Sequence, residues 1–169
     1  MDIITLDSHF TQEEVDFLLS FKSNFNPSGI RIRGEDTFTD YRISENSYSS
    51  DLELKSFLIN KLSELNIVSI PSVEYLKYTV GSKFKIHRDR NDVKGVFTYR
   101  YRTLIIQLVE GSDYRGGDLI VEGNYMNRKL GSVIMFNSKY LHEVTEVTEG
   151  IRFSLCLFLT KDNFKSNLL

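Results

Sequence analysis

The sequence predicts a mainly β (α+β) fold: a jelly roll with N-terminal helices packed on one outer face. Three observations point there. Two segments near the N-terminus, 11–22 and 51–65, carry apolar residues at helical spacing. From residue 73 the chain changes to short runs rich in β-branched and aromatic residues. Glycines separate those runs, at Gly95, Gly111, Gly116-Gly117, Gly123, Gly131 and Gly150. Short strands joined by glycine turns are the signal of a sandwich or barrel-like roll, and helices ahead of them cover one sheet.

The first helix starts at Thr11. Thr11 as N-cap and Glu14 three residues later form a capping box. Val15, Phe17, Leu18, Leu19 and Phe21 then supply a broad apolar face up to about Lys22. Residues 23–50 are polar, with a turn at Pro27-Ser28-Gly29 and short strands expected at Ile30 to Ile32 and Thr39 to Ile43. The second helix begins after Ser50, with Glu53 as its N3 residue. Leu54, Phe57, Leu58, Leu62 and Leu65 recur at helical spacing. The strands expected next are Val73–Val80, Phe84–Arg88, Tyr99–Val109, Leu119–Glu122, Ser132–Phe136, His142–Val147 and Ile151–Leu159.

Bulk properties narrow the field. The 169 residues fit one domain, 1–169, large enough for a full core. A net charge of -2 gives no global sign of nucleic-acid binding. Locally, residues 83–102 hold seven cations (Lys83, Lys85, Arg88, Arg90, Lys94, Arg100, Arg102) against Asp89 and Asp92. A solvated rim explains such a run more simply than steering of an acidic ligand. The single Cys156 lies in an apolar run and reads as a small buried hydrophobe in a reducing compartment. No basic n-region or membrane-length apolar stretch is present, so a cytoplasmic placement without membrane contact is expected. Alanine and tryptophan are absent, a bias that resembles an AT-rich, viral or phage genome.

The chemistry concentrates in two places. His87 and Asp89 are two residues apart on an expected strand, so both project to one face. His142, far downstream, can complete a triangle of two imidazoles and one carboxylate, the facial triad of non-haem Fe(II) oxygenases. His9 has no such partner and reads as structural. Arg152 follows His142 by ten residues, and Ser154 shares its face. An arginine turned into a barrel is costly to bury without an anion, and its fork matches a carboxylate. A 2-oxo diacid fits both features: one end chelates the metal and the distal carboxylate meets Arg152.

With these residues in order the chain resembles the 2-oxoglutarate and Fe(II)-dependent dioxygenases of the prolyl 4-hydroxylase type. Tyr78, Gly81, Phe84, His87 and Asp89 match that family's Tyr-x-x-Gly-x-x-Phe-x-x-His-x-Asp pattern. Arg100 and Thr103 match an Arg-x-x-Thr, Gly116-Gly117-Asp118 a Gly-Gly-acid turn, and His142, Val147, Gly150 and Arg152 the closing segment. The resemblance implies a double-stranded β-helix, a cupin-like jelly roll. Its catalytic core would span about 73–160, with helical support over about 1–70. It implies Fe(II) on His87, Asp89 and His142, and 2-oxoglutarate on Arg152, Tyr78, Thr103 and Ser154. Arg100 falls where the family places a substrate contact. Ascorbate, dioxygen and a peptide or protein substrate, with peptidyl proline leading, come with the same resemblance. The reaction implied is hydroxylation of an unactivated carbon.

The chain also departs from the pattern. Glu146 replaces a proline, Phe153 a tryptophan and Gln107 a tyrosine. These changes leave the metal and cosubstrate assignments in place and loosen the link to proline. Phe158 stands where nucleic-acid demethylases carry a second arginine, which argues against a nucleic-acid substrate. A carboxylate at Asp89 argues against halogenation. The alternatives are an oxygenase of a free amino acid, another small molecule or nucleic acid, and a non-catalytic metal-binding jelly roll.

Overall fold

The computed structural model describes residues 2–32, 35–90 and 97–166. Asp92, Lys94 and the turn at Gly95 lie outside the described residues. In chain order the elements are β1 (Ile4–Leu6), α1 (Gln12–Ser20), β2 (Asn26–Pro27), β3 (Ile30–Ile32), β4 (Glu35–Thr37), β5 (Arg42–Ile43), β6 (Glu45–Ser49), α2 (Leu52–Lys61), β7 (Val73–Tyr78), β8 (Lys83–His87), β9 (Arg102–Gln107), β10 (Tyr114–Gly116), β11 (Leu119–Val121), β12 (Asn124–Tyr125), β13 (Val133–Asn137), β14 (His142–Val144), β15 (Val147–Gly150) and β16 (Arg152–Leu159). The larger sheet runs β1-β13-β9-β16-β7-β6-β2 and the smaller β12-β11-β14-β8-β5. Two two-stranded sheets, β10-β15 and β3-β4, complete the strand pairing.

The helices form where their caps are. Thr11 accepts from the Glu14 amide at 3.2 Å while the Glu14 carboxylate accepts from the Thr11 amide at 2.9 Å. The second helix is capped one residue later than Ser50. The Asp51 carboxylate accepts from the amides of Glu53 and Leu54, because a charged oxygen caps better than the neighbouring hydroxyl can reach. Val15, Leu18, Leu54, Leu58 and Leu62 then bury their side chains against the outer face of the larger sheet, where Tyr75, Leu104, Ile106, Leu155 and Leu157 meet them. Each such burial contributes about 1.5–3 kcal/mol.

Strand alternation does the rest. On β16, Leu155, Leu157 and Leu159 face the helices, while Cys156 joins the layer between the sheets with Leu76, Tyr78, Ile105 and Phe136. Arg152 and Ser154 share the parity of Cys156, as Thr103 and Gln107 share that of Ile105. The inner face of the larger sheet is therefore polar at chosen positions, while the outer face is apolar where the helices cover it.

Two expectations needed revision. The run expected as His142–Val147 is two strands, β14 and β15, because β15 leaves the smaller sheet to pair with β10. The N-terminal part is also more than helical support. β1, β2 and β6 extend the larger sheet and β5 the smaller. β5 falls within the run expected as Thr39 to Ile43, whereas β1, β2 and β6 are short or polar, so period-two alternation was too weak to mark them. No helix among the described residues is long and apolar enough to cross a membrane.

Candidate active site

β8 and β14 pair antiparallel with His142 opposite His87, and a register shift lies just after it. That pairing brings the two imidazoles together, with ring centroids 4.2 Å apart. Asp89, just past the end of β8, faces both. Its Oδ1 is 3.5 Å from His87 Nε2 and its Oδ2 is 3.2 Å from His142 Nε2. One potential ligand atom from each of the three residues lies within 4.8 Å of the other two.

The protonation of the rings follows from their second nitrogens. His87 Nδ1 lies 2.7 Å from the Lys85 carbonyl and His142 Nδ1 lies 3.0 Å from the Tyr140 carbonyl. A carbonyl can only accept, so both Nδ1 atoms carry hydrogen, and in the neutral rings both Nε2 lone pairs point inward. Phe84 stacks on His87 at 3.5 Å, and Phe136 flanks His142 at 4.9 Å. This donor set, two inward lone pairs and a carboxylate in a dry wall, fits a divalent cation with open positions on one side.

Burial and charge within the triad hold His87 and Asp89 in their ligating forms and leave His142 in competition with a proton. Burial lowers the His87 pKa below the usual imidazole value, outweighing its hydrogen bond to Asp89. Burial pushes Asp89 upward, but the charge and hydrogen bonds of His142 and His87 outweigh it and hold the carboxyl well below its usual range. Burial lowers His142, but the charge and hydrogen bond of Asp89, with the Tyr140 carbonyl, together outweigh it and raise the pKa.

Thr103 also belongs to this cluster. Its hydroxyl donates to Asp89 Oδ2 at 2.7 Å and lies 3.0 Å from the Ser138 hydroxyl. That hydrogen bond orients the carboxylate. A Thr103→Val protein is expected to bind a divalent cation about 10- to 100-fold more weakly, as read by calorimetric titration.

Arg152 occupies a second pole. It is the bulkiest fully buried side chain, 2% exposed. Its Nη1 donates to Ser154 at 3.2 Å and its Nη2 to the Gln107 carbonyl oxygen at 2.9 Å. Its Nε is buried without a hydrogen-bond partner. Tyr78, directly opposite in the β7–β16 register, lies beneath the guanidinium at 5.3 Å. Among the described residues no carboxylate pairs with this cation.

One cavity of about 1270 Å³ holds both poles: His87, Asp89, His142 and Thr103 line it together with Tyr78, Arg152 and Ser154. Arg100 lines it too. Its guanidinium is clamped between Phe97, at 3.8 Å, and Phe158, at 3.5 Å. The rest of the basic run is mostly a partnered rim. Lys83 pairs with Glu146, Lys85 with Asp40 and Arg102 with Asp2, and Arg88 donates to the Lys139 carbonyl.

Sequence reasoning missed two groups. Gln107 and Tyr114 stand behind Arg152, and the only trace of them was the amide at a position where the family pattern has tyrosine. Arg42 and Glu74 form an ion pair of 3.3 Å in the cavity wall, with Asn46 and Tyr48 also donating to Glu74. Glu74 shares the strand parity of Tyr78, which was a usable signal. Arg42 lies in a two-residue strand and left none.

Comparison with known proteins agrees with this architecture. The model of the family described as 2OG-Fe(II) oxygenase superfamily matches residues 73–160. The chain is 33% identical over 112 residues to a PKHD-type hydroxylase of Caulobacter sp. (strain K31), covering 60% of this chain and 49% of that one. It thus spans half or less of the length of the curated relatives it matches. In three dimensions it is similar to a Pseudomonas putida prolyl-4-hydroxylase, with a TM-score of 0.68, 17% identity and coverage of 94% and 92% of the two chains. It is also similar to a Trichoplax adhaerens prolyl hydroxylase solved with a hypoxia inducible factor oxygen degradation domain peptide fragment. There the TM-score is 0.71 at 15% identity, covering 95% of this chain and 84% of that one. The fold is the double-stranded β-helix of these oxygenases.

Proposed function

Because the chain belongs to the 2OG-Fe(II) oxygenase superfamily, we propose that it is a 2-oxoglutarate-dependent hydroxylase acting on a peptide or protein side chain, with proline the leading target. The observation that carries the reading is Arg152: a buried cation that meets no anion among the described residues, in the same cavity as a His-Asp-His cluster. A diacid that reaches both poles satisfies both.

His87, Asp89 and His142 hold Fe(II), and the Nδ1 hydrogen bonds keep both imidazoles in the ligating tautomer. Bound iron with 2-oxoglutarate supplies the oxidising power that places one atom of dioxygen on a C–H carbon and the other in succinate, with release of carbon dioxide. Arg152 and Ser154 take the distal carboxylate, and the Tyr78 ring walls the diacid in. Thr103 holds Asp89 in place. No side chain need act as acid or base. The protein orients the reactants and keeps water from them.

Arg100 holds the substrate. Its aromatic clamp fixes the guanidinium plane, so little side-chain entropy is lost when it donates to a peptide carbonyl. The PKHD-type and prolyl hydroxylase relatives, one of them solved with a peptide, support a peptide over a free amino acid.

The test sets proline-rich peptides, free amino acids and single-stranded oligonucleotides side by side, reading succinate release and product mass. Peptide hydroxylation is expected. Arg100→Ala is expected to lower peptide-coupled kcat/KM by roughly 10- to 100-fold, with uncoupled loss of 2-oxoglutarate nearly intact. Turnover of a free amino acid or nucleotide, with none on peptides, would overturn the substrate and leave the metal chemistry standing. No succinate with any substrate would favour a non-catalytic module.

A further inference from the structure

We infer that Gln107 and Tyr114 are positioning residues that hold Arg152 in place without neutralising it, and so set the affinity for the cosubstrate. The inference rests on the reading that Arg152 takes the distal carboxylate.

A buried guanidinium can be held in two ways. A carboxylate would bind it tightly but would cancel the charge that a diacid needs. An amide oxygen orients it and leaves the charge whole. Gln107 is that amide, 2% exposed on β9. Arginine can only donate, so the Gln107 Oε1 must face Nη2, at 2.9 Å. Its Nε2 is then directed the other way, to the Tyr114 hydroxyl oxygen at 2.9 Å. The phenol thereby fixes which end of the amide meets the arginine.

Tyr114 is itself held in place. The Arg128 guanidinium lies over its ring at 4.2 Å. Arg128 also donates to the carbonyls of Tyr114 and Gly111 and pairs with Asp118 at 2.7 Å. Gly117, with φ +62°, adjoins the ring as well. A Cβ there would sit 2.9 Å from Val147 Cγ2, 3.2 Å from Tyr114 Cε2 and 3.3 Å from Arg152 Cδ. The composition of the Gly116-Gly117-Asp118 turn therefore has a physical reason. Gly117 makes room for Tyr114 and Arg152, and Asp118 holds the Arg128 cation over the phenol. Neither Gln107 nor Tyr114 lines the cavity, so both act through Arg152.

Gln107→Glu tests this without changing shape. Wild type, Q107E and Y114F are compared by calorimetric binding of 2-oxoglutarate to the Mn(II)-loaded protein and by thermal melting of the metal-free, ligand-free protein. Q107E is expected to weaken 2-oxoglutarate roughly 100-fold with Mn(II) affinity kept, while its ligand-free melting temperature rises because the buried cation gains an anion. Y114F is expected to weaken 2-oxoglutarate about 2- to 10-fold, since the amide is free to turn its NH2 toward Arg152. In turnover both effects fall on KM for 2-oxoglutarate far more than on kcat. Wild-type cosubstrate affinity in Q107E would overturn the inference. So would a Q107E protein that melts lower together with unchanged affinity in Y114F, which would reduce the pair to packing. Failure of the wild type to bind 2-oxoglutarate would instead fail the cosubstrate reading, and this inference with it.

Discussion

Asp89→Ala is expected to weaken divalent-metal binding by on the order of 10²- to 10³-fold or more and to abolish turnover. Asp89 is the one anion among the three converging groups, and both imidazoles face it. Removing one partner of a buried charged set costs about 3–5 kcal/mol, which is that range of affinity. The substitution should also change how metal uptake depends on pH. In wild type the Asp89 charge raises the His142 pKa against burial. A cation taking the Nε2 lone pair must therefore displace a proton held there. Affinity is expected to fall as pH is lowered through the His142 range. His87, lowered by burial, and Asp89, held well below its usual range, are already in their ligating forms and add no such step. In the alanine protein the His142 pKa should drop, and the weak residual binding should lose that pH step. Calorimetry with Mn(II) or Co(II) across pH, with NMR titration of the metal-free histidines, reads both effects. Unchanged metal affinity would remove Asp89 from the ligand set.

Arg152→Ala is expected to weaken 2-oxoglutarate by a similar factor while leaving metal affinity nearly unchanged. Among the described residues the buried guanidinium donates only to a hydroxyl and an amide oxygen, so its charge awaits a ligand. Losing one side of the buried pair again costs about 3–5 kcal/mol, or on the order of 10²- to 10³-fold. Arg152→Lys should be milder, since charge is kept and the fork is lost. Ligand-free stability should move the other way. Arg152→Met removes a buried, uncompensated cation and keeps much of its volume, so the metal-free protein should melt no lower than wild type and 2-oxoglutarate should no longer raise its melting point. Titration of 2-oxoglutarate at fixed Mn(II), with paired melts, separates the two. Wild-type cosubstrate affinity in the alanine variant would show that another residue is the anchor.

Much of this was written in local pattern. The capping box at Thr11 and Glu14, the apolar face of α1 and the runs that became β7, β8, β9, β13 and β16 depend on neighbours two to four residues away. His87 and Asp89 could be paired on sequence because they are separated by one residue, and Arg152 and Ser154 for the same reason. Their chemistry was legible because a ligand set is a choice of residue types.

What the chain alone could not decide depends on contacts between distant residues. The β8–β14 register places His142 against His87, and one step of slip would turn a ring away. Thr103 reads as a contact for the diacid on sequence, and only the packed β9 shows that its hydroxyl also donates to Asp89. β1, β2 and β6 are too short or too polar to announce themselves, and they become strands only because an existing sheet edge offers them hydrogen bonds. Arg152 is the clearest case. Residue type made it a cation on an inner face, but its lack of a carboxylate partner among the described residues and its hold by Gln107 and Tyr114 are properties of the packed interior. A charge becomes a binding site only when the fold has removed water and withheld an anion.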